Sequence, residues 1–82
     1  MKNSIQINCF AGLRKYFTAS IEMNLTLPAA YEDVIQEMKK MNPEASEILN
    51  NCRIAVHEKF VSMKSQINGE EAIYLIPPSS GG

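Results

Sequence analysis

The middle of the chain carries apolar residues at helical spacing. They recur at i, i+3, i+4, i+7 and i+10, which places them on one face of a helix, and they are Tyr31, Val34, Ile35, Met38 and Met41. Acidic residues come early and lysines come late on the other face, an order that the helix dipole favours. Asn42-Pro43 ends the pattern, and Ala29 and Ala30 offer no side-chain cap at its start. We therefore predict one main helix over residues 31–41.

The segments on either side of this helix alternate apolar and polar residues, which is typical of half-buried strands. Strands are predicted at residues 5–9, 21–27, 53–56, 60–61 and 72–76. Pro28 ends the second strand, so the first two are expected to form a hairpin, and Asn68-Gly69 is a strong turn signal before the last strand. Short helical turns are expected at residues 11–17 and 44–51.

The predicted order is strand, strand, helix, short strands, strand. One helix over one face of a small mixed sheet buries the apolar faces of both elements, which is the β-grasp layout. Because the helix supplies a crossover, the first and last strands can lie side by side and parallel. We predict an α+β, ubiquitin-like β-grasp domain over residues 1–76 and a flexible tail over residues 77–82, Pro-Pro-Ser-Ser-Gly-Gly.

Length and composition suit one small domain. At 82 residues the chain can bury one modest core, and its 45% apolar and 21% charged residues argue against disorder. The net charge of −1 has interspersed signs, which argues against nucleic acid as the main partner. No apolar run is long enough to cross a bilayer, so no membrane partner is expected, and no signal-peptide segment is recognised. Cys9 and Cys52 are expected to be buried free thiols, which fits a cytoplasmic protein.

The chain lacks the residue patterns of a self-contained catalytic site. Its one histidine, His57, lies next to a predicted turn, where we expect a solvated residue and not a general base. The two cysteines have no C-x-x-C spacing, so neither a zinc site nor a redox pair is indicated. Glu70-Glu71 follows a turn and is interpreted as solvated. Any chemistry is therefore expected to involve the terminus of the chain itself.

The last residues combine a stiff segment with a thin end. Pro77 and Pro78 fix the backbone and remove two donors, so the last strand cannot continue through them. Gly81 and Gly82 have no Cβ, so a narrow tunnel in a partner can admit them where larger residues would clash. An α-carboxyl group is ionised at neutral pH and can attack an activated phosphate. A frayed terminus is the alternative interpretation of the same residues.

Three segments resemble the small sulfur-carrier subunit of molybdopterin synthase. They are residues 53–61 (Arg-Ile-Ala-Val-His-Glu-Lys-Phe-Val), residues 67–71 (Ile-Asn-Gly-Glu-Glu) and residues 76–82 (Ile-Pro-Pro-Ser-Ser-Gly-Gly). Residues 5–16, with Phe-Ala-Gly-Leu-Arg at 10–14, are also similar to the first strand and following turn of that family. The resemblance spans nearly the whole chain and is weakest over residues 18–50. A terminal Gly-Gly alone would be shared with ubiquitin-like modifiers and with the thiamine sulfur carrier.

The resemblance implies a sulfur carrier that is not an enzyme by itself. An activating enzyme, an E1-like adenylyltransferase, would use ATP to adenylate the Gly82 carboxylate. A persulfide or sulfide donor would then displace AMP and leave a thiocarboxylate. The tail, from Pro77 and Pro78 through Gly81, would enter the large subunit and give its sulfur to cyclic pyranopterin monophosphate in molybdenum cofactor biosynthesis. The synthase would be a heterotetramer, and this chain would bind no metal and no cofactor.

Partner docking is predicted on the sheet face away from the helix. Phe10, Phe60 and Ile76 are out of phase with the apolar residues of their strands, so they are expected to gather there, beside the tail. A clustered, exposed apolar patch is an interaction site more often than an accident. In the family that this chain resembles, the matching positions help form the contact with the large subunit. The alternative is that one or two of these residues pack at the edge of the core.

Other functions remain open at this point. A ubiquitin-like modifier would join Gly82 to lysines of other proteins after the same activation chemistry. A carrier for thiamine or tRNA thiolation would also use the same terminus. A plain binding module with an idle tail would tolerate extra residues after Gly82. Pro77-Pro78 favours the carrier over the modifier, but the sequence does not identify the activating enzyme or the sulfur donor.

Overall fold

The computed structural model describes residues 2–68 and 72–78. The strands in these ranges are β1 (Lys2–Cys9), β2 (Ser20–Thr26), β3 (Arg53–Val56), β4 (Lys59–Val61) and β5 (Ile73–Ile76). The α-helices there are α1 (Tyr31–Met41) and α2 (Ser46–Asn50), and short 3-10 helices span Ala11–Lys15 and Pro43–Ala45. This order confirms the predicted sequence of elements. In the described part of the chain, no helix is both long and apolar enough to cross a membrane.

The strands of the described ranges form one sheet in the order β2-β1-β5-β3-β4. β1 and β2 pair antiparallel, which confirms the predicted hairpin. β1 and β5 pair parallel, with Ile7 opposite Ile73 and Cys9 opposite Leu75, so the first and last strands lie side by side as expected. β5 also pairs antiparallel with β3. The last strand therefore lies in the middle of the sheet and has hydrogen-bonded neighbours on both sides.

The core lies between α1 and one face of this sheet. Alternate residues of β1 and β5, such as Ile5, Ile7, Ile73 and Leu75, are almost fully buried. From α1 the buried residues are Tyr31, Val34, Ile35 and Met38. Met41, which the helical pattern had placed on the buried face, is instead 54% exposed. At about 100° per residue it lies roughly 80° around the helix from Tyr31, at the edge of the apolar stripe, and it is the last residue of α1.

Backbone carbonyls of a distant loop cap the start of α1. No side chain caps it at Ala30, as the sequence predicted, but the Tyr31 N–H donates to the Ser65 carbonyl at 3.1 Å and the Glu32 N–H donates to the Met63 carbonyl at 2.9 Å. The Ala30 N–H donates to Asp33 Oδ2 at 2.9 Å. Because the first N–H groups of a helix have no partner within the helix, this loop satisfies two donors that the local sequence leaves open.

The turn between β3 and β4 contains two non-glycine residues in the left-handed region. His57 has φ 52° and Glu58 has φ 64°. Positive φ at both central residues suits a two-residue hairpin turn, because its twist matches that of the strands. Side chains with a Cβ make this conformation costly, so the turn keeps a shape that its residues do not favour.

Candidate functional site

The tail leaves the domain from the central strand. β5 ends at Ile76, Pro77 is buried and Pro78 is exposed. Pro77 therefore packs on the domain, and the first tail position that faces solvent is Pro78. Gly81 and Gly82, the predicted reacting end, lie outside the described residues. The predicted boundary at residues 76–77 and the flexible character of the tail stay predictions.

The sheet face opposite α1 carries an aromatic face, which we define as Phe10, Tyr74, Ile76 and Phe60. Strand register aligns these side chains, because Ala55 lies opposite both Tyr74 and Phe60 in its two ladders. The ring centroids of Phe10 and Tyr74 are 6.0 Å apart with an interplanar angle of 31°. Phe10 is 39% exposed and Phe60 is 59% exposed, whereas Ile76 and Tyr74 are half-buried. The structure thus places Phe10, Phe60 and Ile76 on the expected side of the sheet; their role in binding stays a prediction.

Two arginines border the aromatic face, one at each end. The guanidinium carbon of Arg14 lies 5.9 Å from the centroid of the Phe10 ring, and that of Arg53 lies 5.2 Å from the centroid of Phe60. These are cation–π distances. Arg14 Nε also donates a hydrogen bond of 3.2 Å to the Cys9 carbonyl, which fixes the side chain. The two exposed phenylalanines are therefore each covered in part by a positive charge.

Sequence reasoning missed three members of this surface. Tyr74 lies two residues before Ile76 and therefore on the same side of β5, a signal that alternation along the strand provides. The signal for Arg14 was available, since it follows Phe10 by four positions and a helical turn brings such residues together. Arg53 reaches Phe60 only through the pairing of β3 with β4, so no local pattern indicates it.

The other half of the same sheet face is polar and internally hydrogen-bonded. Ser4 Oγ donates to Glu22 at 3.1 Å, and Gln6 Nε2 donates to Asn8 Oδ1 at 3.2 Å and to Ser20 Oγ at 3.3 Å. These exposed polar side chains bond to one another, so this half of the sheet face is suited to contact with water. The contrast confines the apolar surface to the half formed by β5, β3, β4 and the end of β1.

A groove with a volume of about 690 Å³ lies beside the end of β5. We call it the exit groove, because Ile76, Pro77 and Pro78 line it together with residues of the first 3-10 helix and of the segment 44–51. A Cβ built on Gly12 would lie 3.0 Å from Ile48 Cδ1, so the 3-10 helix and α2 are in close contact there. Phe10 and Ile76 belong to both the aromatic face and the exit groove, so the two surfaces are continuous.

The cysteines are buried and free, as predicted. Burial raises the pKa of the Cys9 thiol, and the nearby Arg14 charge offsets only part of this effect. Burial also raises the pKa of Cys52 to about 11, with a smaller contribution from Cys9. Because a thiolate and not a thiol is the nucleophile, neither cysteine is suited to covalent chemistry at neutral pH. His57 is exposed in the turn after β3, as expected for a solvated residue.

No family model matches the chain. The chain is, however, 30% identical over 86 aligned positions to the molybdopterin synthase sulfur carrier subunit of Dictyostelium discoideum, and the match covers 100% of both proteins. This chain belongs to the family of molybdopterin synthase sulfur carrier subunits. The assignment agrees with the resemblance of the segments around Phe10, Phe60 and the terminal glycines.

Solved structures confirm the β-grasp fold of this sulfur carrier family member. SAMP1 of Haloferax volcanii superposes with a TM-score of 0.80 at 16% identity, covering 98% of this chain and 100% of that one. One chain in the complex of subunits 1 and 2 of the molybdopterin-converting factor of Helicobacter pylori gives a TM-score of 0.60 at 17% identity, with 100% of both chains covered. Urm1 of Trypanosoma brucei gives 0.67 at 15% identity, covering 99% of this chain and 97% of that one. At these identities the likeness concerns the fold.

Proposed function

We propose that this chain is the small subunit of molybdopterin synthase and that Gly82 carries sulfur as a thiocarboxylate. The observation that carries this proposal is the full-length match to a curated sulfur carrier subunit. The Helicobacter pylori complex supports a large subunit as partner, since subunit 1 of that factor is bound to subunit 2. In this scheme ATP is the substrate of a separate activating enzyme, and the chain itself needs no cofactor.

The geometry supports delivery of the tail by a docked domain. Pro77 is packed against the domain, and Ile76 belongs to the aromatic face. A partner that covers this face lies next to the point where the tail leaves. Binding energy gained on the face can therefore hold the terminal carboxylate near the partner's reacting groups and lower the entropic cost of the transfer.

The chemistry proceeds in two activation steps. A carboxylate oxygen of Gly82 attacks the α-phosphorus of ATP, pyrophosphate leaves, and an acyl-adenylate forms. Sulfide then attacks the acyl carbon and AMP leaves with the bonding electron pair, which gives the thiocarboxylate. When the donor is a persulfide, the first product is an acyl disulfide, and a thiol must reduce its S–S bond to release the thiocarboxylate.

Transfer to the substrate follows in the large subunit. The thiocarboxylate sulfur bonds to an electrophilic carbon of cyclic pyranopterin monophosphate as a C–O bond at that carbon breaks, and the oxygen leaves with the bonding electron pair. Water then hydrolyses the resulting thioester, so that the sulfur stays on the substrate and Gly82 returns as a carboxylate. Two such deliveries supply the two sulfurs of the dithiolene. In this scheme the acid–base groups of the transfer step belong to the large subunit.

One face serves two partners in this scheme. The activating enzyme and the large subunit each need the tail, and each therefore approaches from the side where Pro78 is exposed. Both are expected to use the aromatic face, so their binding is mutually exclusive. An excess of the large subunit should then inhibit adenylation of the carrier.

Intact mass of the protein purified from its own cells tests the proposal. We expect a fraction in which sulfur replaces one oxygen, located on Gly82 by fragmentation, and the unmodified chain as the remainder. That fraction should convert cyclic pyranopterin monophosphate with the large subunit added, and a Gly82-deleted chain should not. Branched peptides that join Gly82 to lysines of other proteins, without any thiocarboxylate, would instead identify a ubiquitin-like modifier.

A further inference from the structure

We infer that the exit groove binds a segment of the large subunit that carries lysine or arginine next to apolar side chains. The inference rests on the proposed function, because it takes the large subunit as the partner. It adds the exit groove to the aromatic face as a second contact with the partner. It also predicts that the partner surface at the groove is positively charged.

Two carboxylates line the groove. Glu44 and Glu47 line it and are exposed, and within residues 2–68 and 72–78 neither carboxylate forms an ion pair. Lys15 also lines the groove, so these charged side chains give it a net negative charge.

Neighbouring lysines are already engaged elsewhere. Lys40 pairs with Glu37 at 3.2 Å on α1, and Lys39 Nζ donates to Asn50 Oδ1. Both lysines lie on α1, close in sequence to Glu44, yet their ammonium groups are directed to other partners. In the part of the chain that the structure describes, no lysine or arginine therefore pairs with either glutamate.

The backbone around these glutamates is held in place. The Glu44 N–H donates to Asn42 Oδ1 at 3.2 Å, and Asn51 Nδ2 donates to the Glu47 carbonyl at 3.0 Å. Ala45, which lies between the two glutamates, and Leu49, which follows Glu47 by two residues, are buried in the core. The two glutamates therefore belong to a segment whose backbone is held in place before a partner arrives.

A partner that binds both the aromatic face and the tail also contacts the exit groove. Phe10 and Ile76 belong to the groove as well as to the aromatic face, and Pro78 lines the groove where the tail leaves. A protein that buries the aromatic face and accepts the tail therefore also covers the rim of the groove. The apolar lining supplied by Phe10, Ile76 and Pro77 then favours apolar side chains in the occupant.

Covering the glutamates without compensation would cost free energy. A carboxylate removed from water without a counter-ion or hydrogen-bond donors is strongly unfavourable. A lysine or arginine of the occupant removes this penalty and adds charge complementarity, which speeds association and fixes orientation. Because Arg14 and Arg53 border the aromatic face with the opposite sign, the pattern of charges also discriminates against a rotated docking mode.

The test compares two doubly substituted chains with the same change in net charge. Glu44→Gln/Glu47→Gln removes the groove carboxylates, whereas Glu32→Gln/Glu37→Gln removes two from α1, outside the groove. Calorimetric titration against the large subunit of the same organism is carried out at low and at physiological salt. We expect affinity of the groove variant to fall about tenfold at low salt, with a weaker dependence on salt than wild type. The α1 variant should follow wild type.

The outcomes separate the two proposals. Wild-type protein that fails to bind the large subunit overturns the proposed function. If wild-type protein binds, and the groove variant binds with the same affinity and the same salt dependence, the groove inference alone is overturned. Urea unfolding of all variants shows whether the folds are comparable, and the single substitutions Glu44→Gln and Glu47→Gln decide the question if the double variant is unstable.

Discussion

Phe10 and Tyr74 bring their rings within 6.0 Å of each other although they come from opposite ends of the chain. Phe10 directly follows β1 and Tyr74 lies in β5, so their contact depends on the parallel pairing of these two strands. The aromatic face therefore exists only in the folded domain. Its binding role is best examined with substitutions that leave that strand pairing intact.

Phe60→Ala should weaken binding to the large subunit and leave folding almost unaffected. Phe60 is 59% exposed, so its truncation creates no cavity, whereas loss of an aromatic anchor at an interface commonly costs about 2 kcal/mol or more. That corresponds to roughly thirtyfold in affinity. Calorimetric titration gives the affinity, and urea unfolding gives the stability.

Ile54→Ala is the control for this experiment. Ile54 is fully buried one residue after Arg53, on the opposite face of β3, so its truncation should cost about 2–5 kcal/mol of stability. The folded fraction should bind with unchanged affinity. A large loss of stability with normal binding in Phe60→Ala would place the Phe60 side chain in the core and contradict the docking role.

Deletion of Gly82, or addition of one residue after it, should abolish thiocarboxylate formation. The reacting carboxylate would be displaced along the tail, and a tunnel fitted to glycine would not admit a longer end. Thermal stability should be nearly unchanged, because core residues such as Ile73 and Leu75 are untouched. Cofactor synthesis with purified partners is the measurement, and activity of either variant would show that the carboxylate of Gly82 is not required.

Gly81→Val tests passage of the tail separately from its chemistry. The branched side chain widens the tail and restricts its backbone, while the Gly82 carboxylate is retained. We expect slower adenylation or slower sulfur transfer with a normal unfolding curve. Rates of both half-reactions equal to those of wild type would rule out a narrow channel in either partner.

Stability should fall at alkaline pH because of Cys52. Burial raises the pKa of Cys52 to about 11 in the folded domain, above its unfolded value of about 8.5. The unfolded chain therefore loses the proton first, so stability is complete below about pH 8.5 and declines as pH rises towards 11. Urea midpoints across this range should show a shallower decline for Cys52→Ala than for wild type; parallel curves would contradict the assignment.

Glu58→Gly should stabilise the domain by about 0.5–1 kcal/mol, because glycine adopts positive φ without the steric penalty that a Cβ brings. Glu58 has φ 64° in the turn between β3 and β4. Lys59→Gly is the matched control, because Lys59 begins β4 and glycine weakens a strand. Urea unfolding should therefore shift in opposite directions for the two variants. A loss of stability in both would contradict the strained turn.

Much of this fold could be predicted because its signals are local. Alternation over residues 5–9 and 21–27 identified the hairpin, and the helical spacing from Tyr31 gave α1 the bounds that the structure has. The parallel pairing of β1 with β5 followed from the order of elements. Met41 was misplaced because it lies at the edge of the apolar stripe, where the spacing of residues does not decide between core and solvent.

The parts that could not be predicted depend on contacts between distant segments. The carbonyls of Met63 and Ser65 that cap α1 come from a loop whose position no local pattern specifies. The contact of Arg53 with Phe60 requires the register of β3 and β4. The exit groove requires the first 3-10 helix, α2 and the end of β5 at once, so no local pattern distinguishes Glu44 and Glu47 in the sequence.

The central position of β5 also has a mechanical consequence. A force applied to the tail runs along β5, which hydrogen-bonds to β1 on one side and to β3 on the other. Because both ladders are then loaded in shear, the hydrogen bonds on the two sides of β5 must break together before the strand can move. A partner can therefore pull on the tail, or withdraw it from a tunnel, without unravelling the domain that carries it.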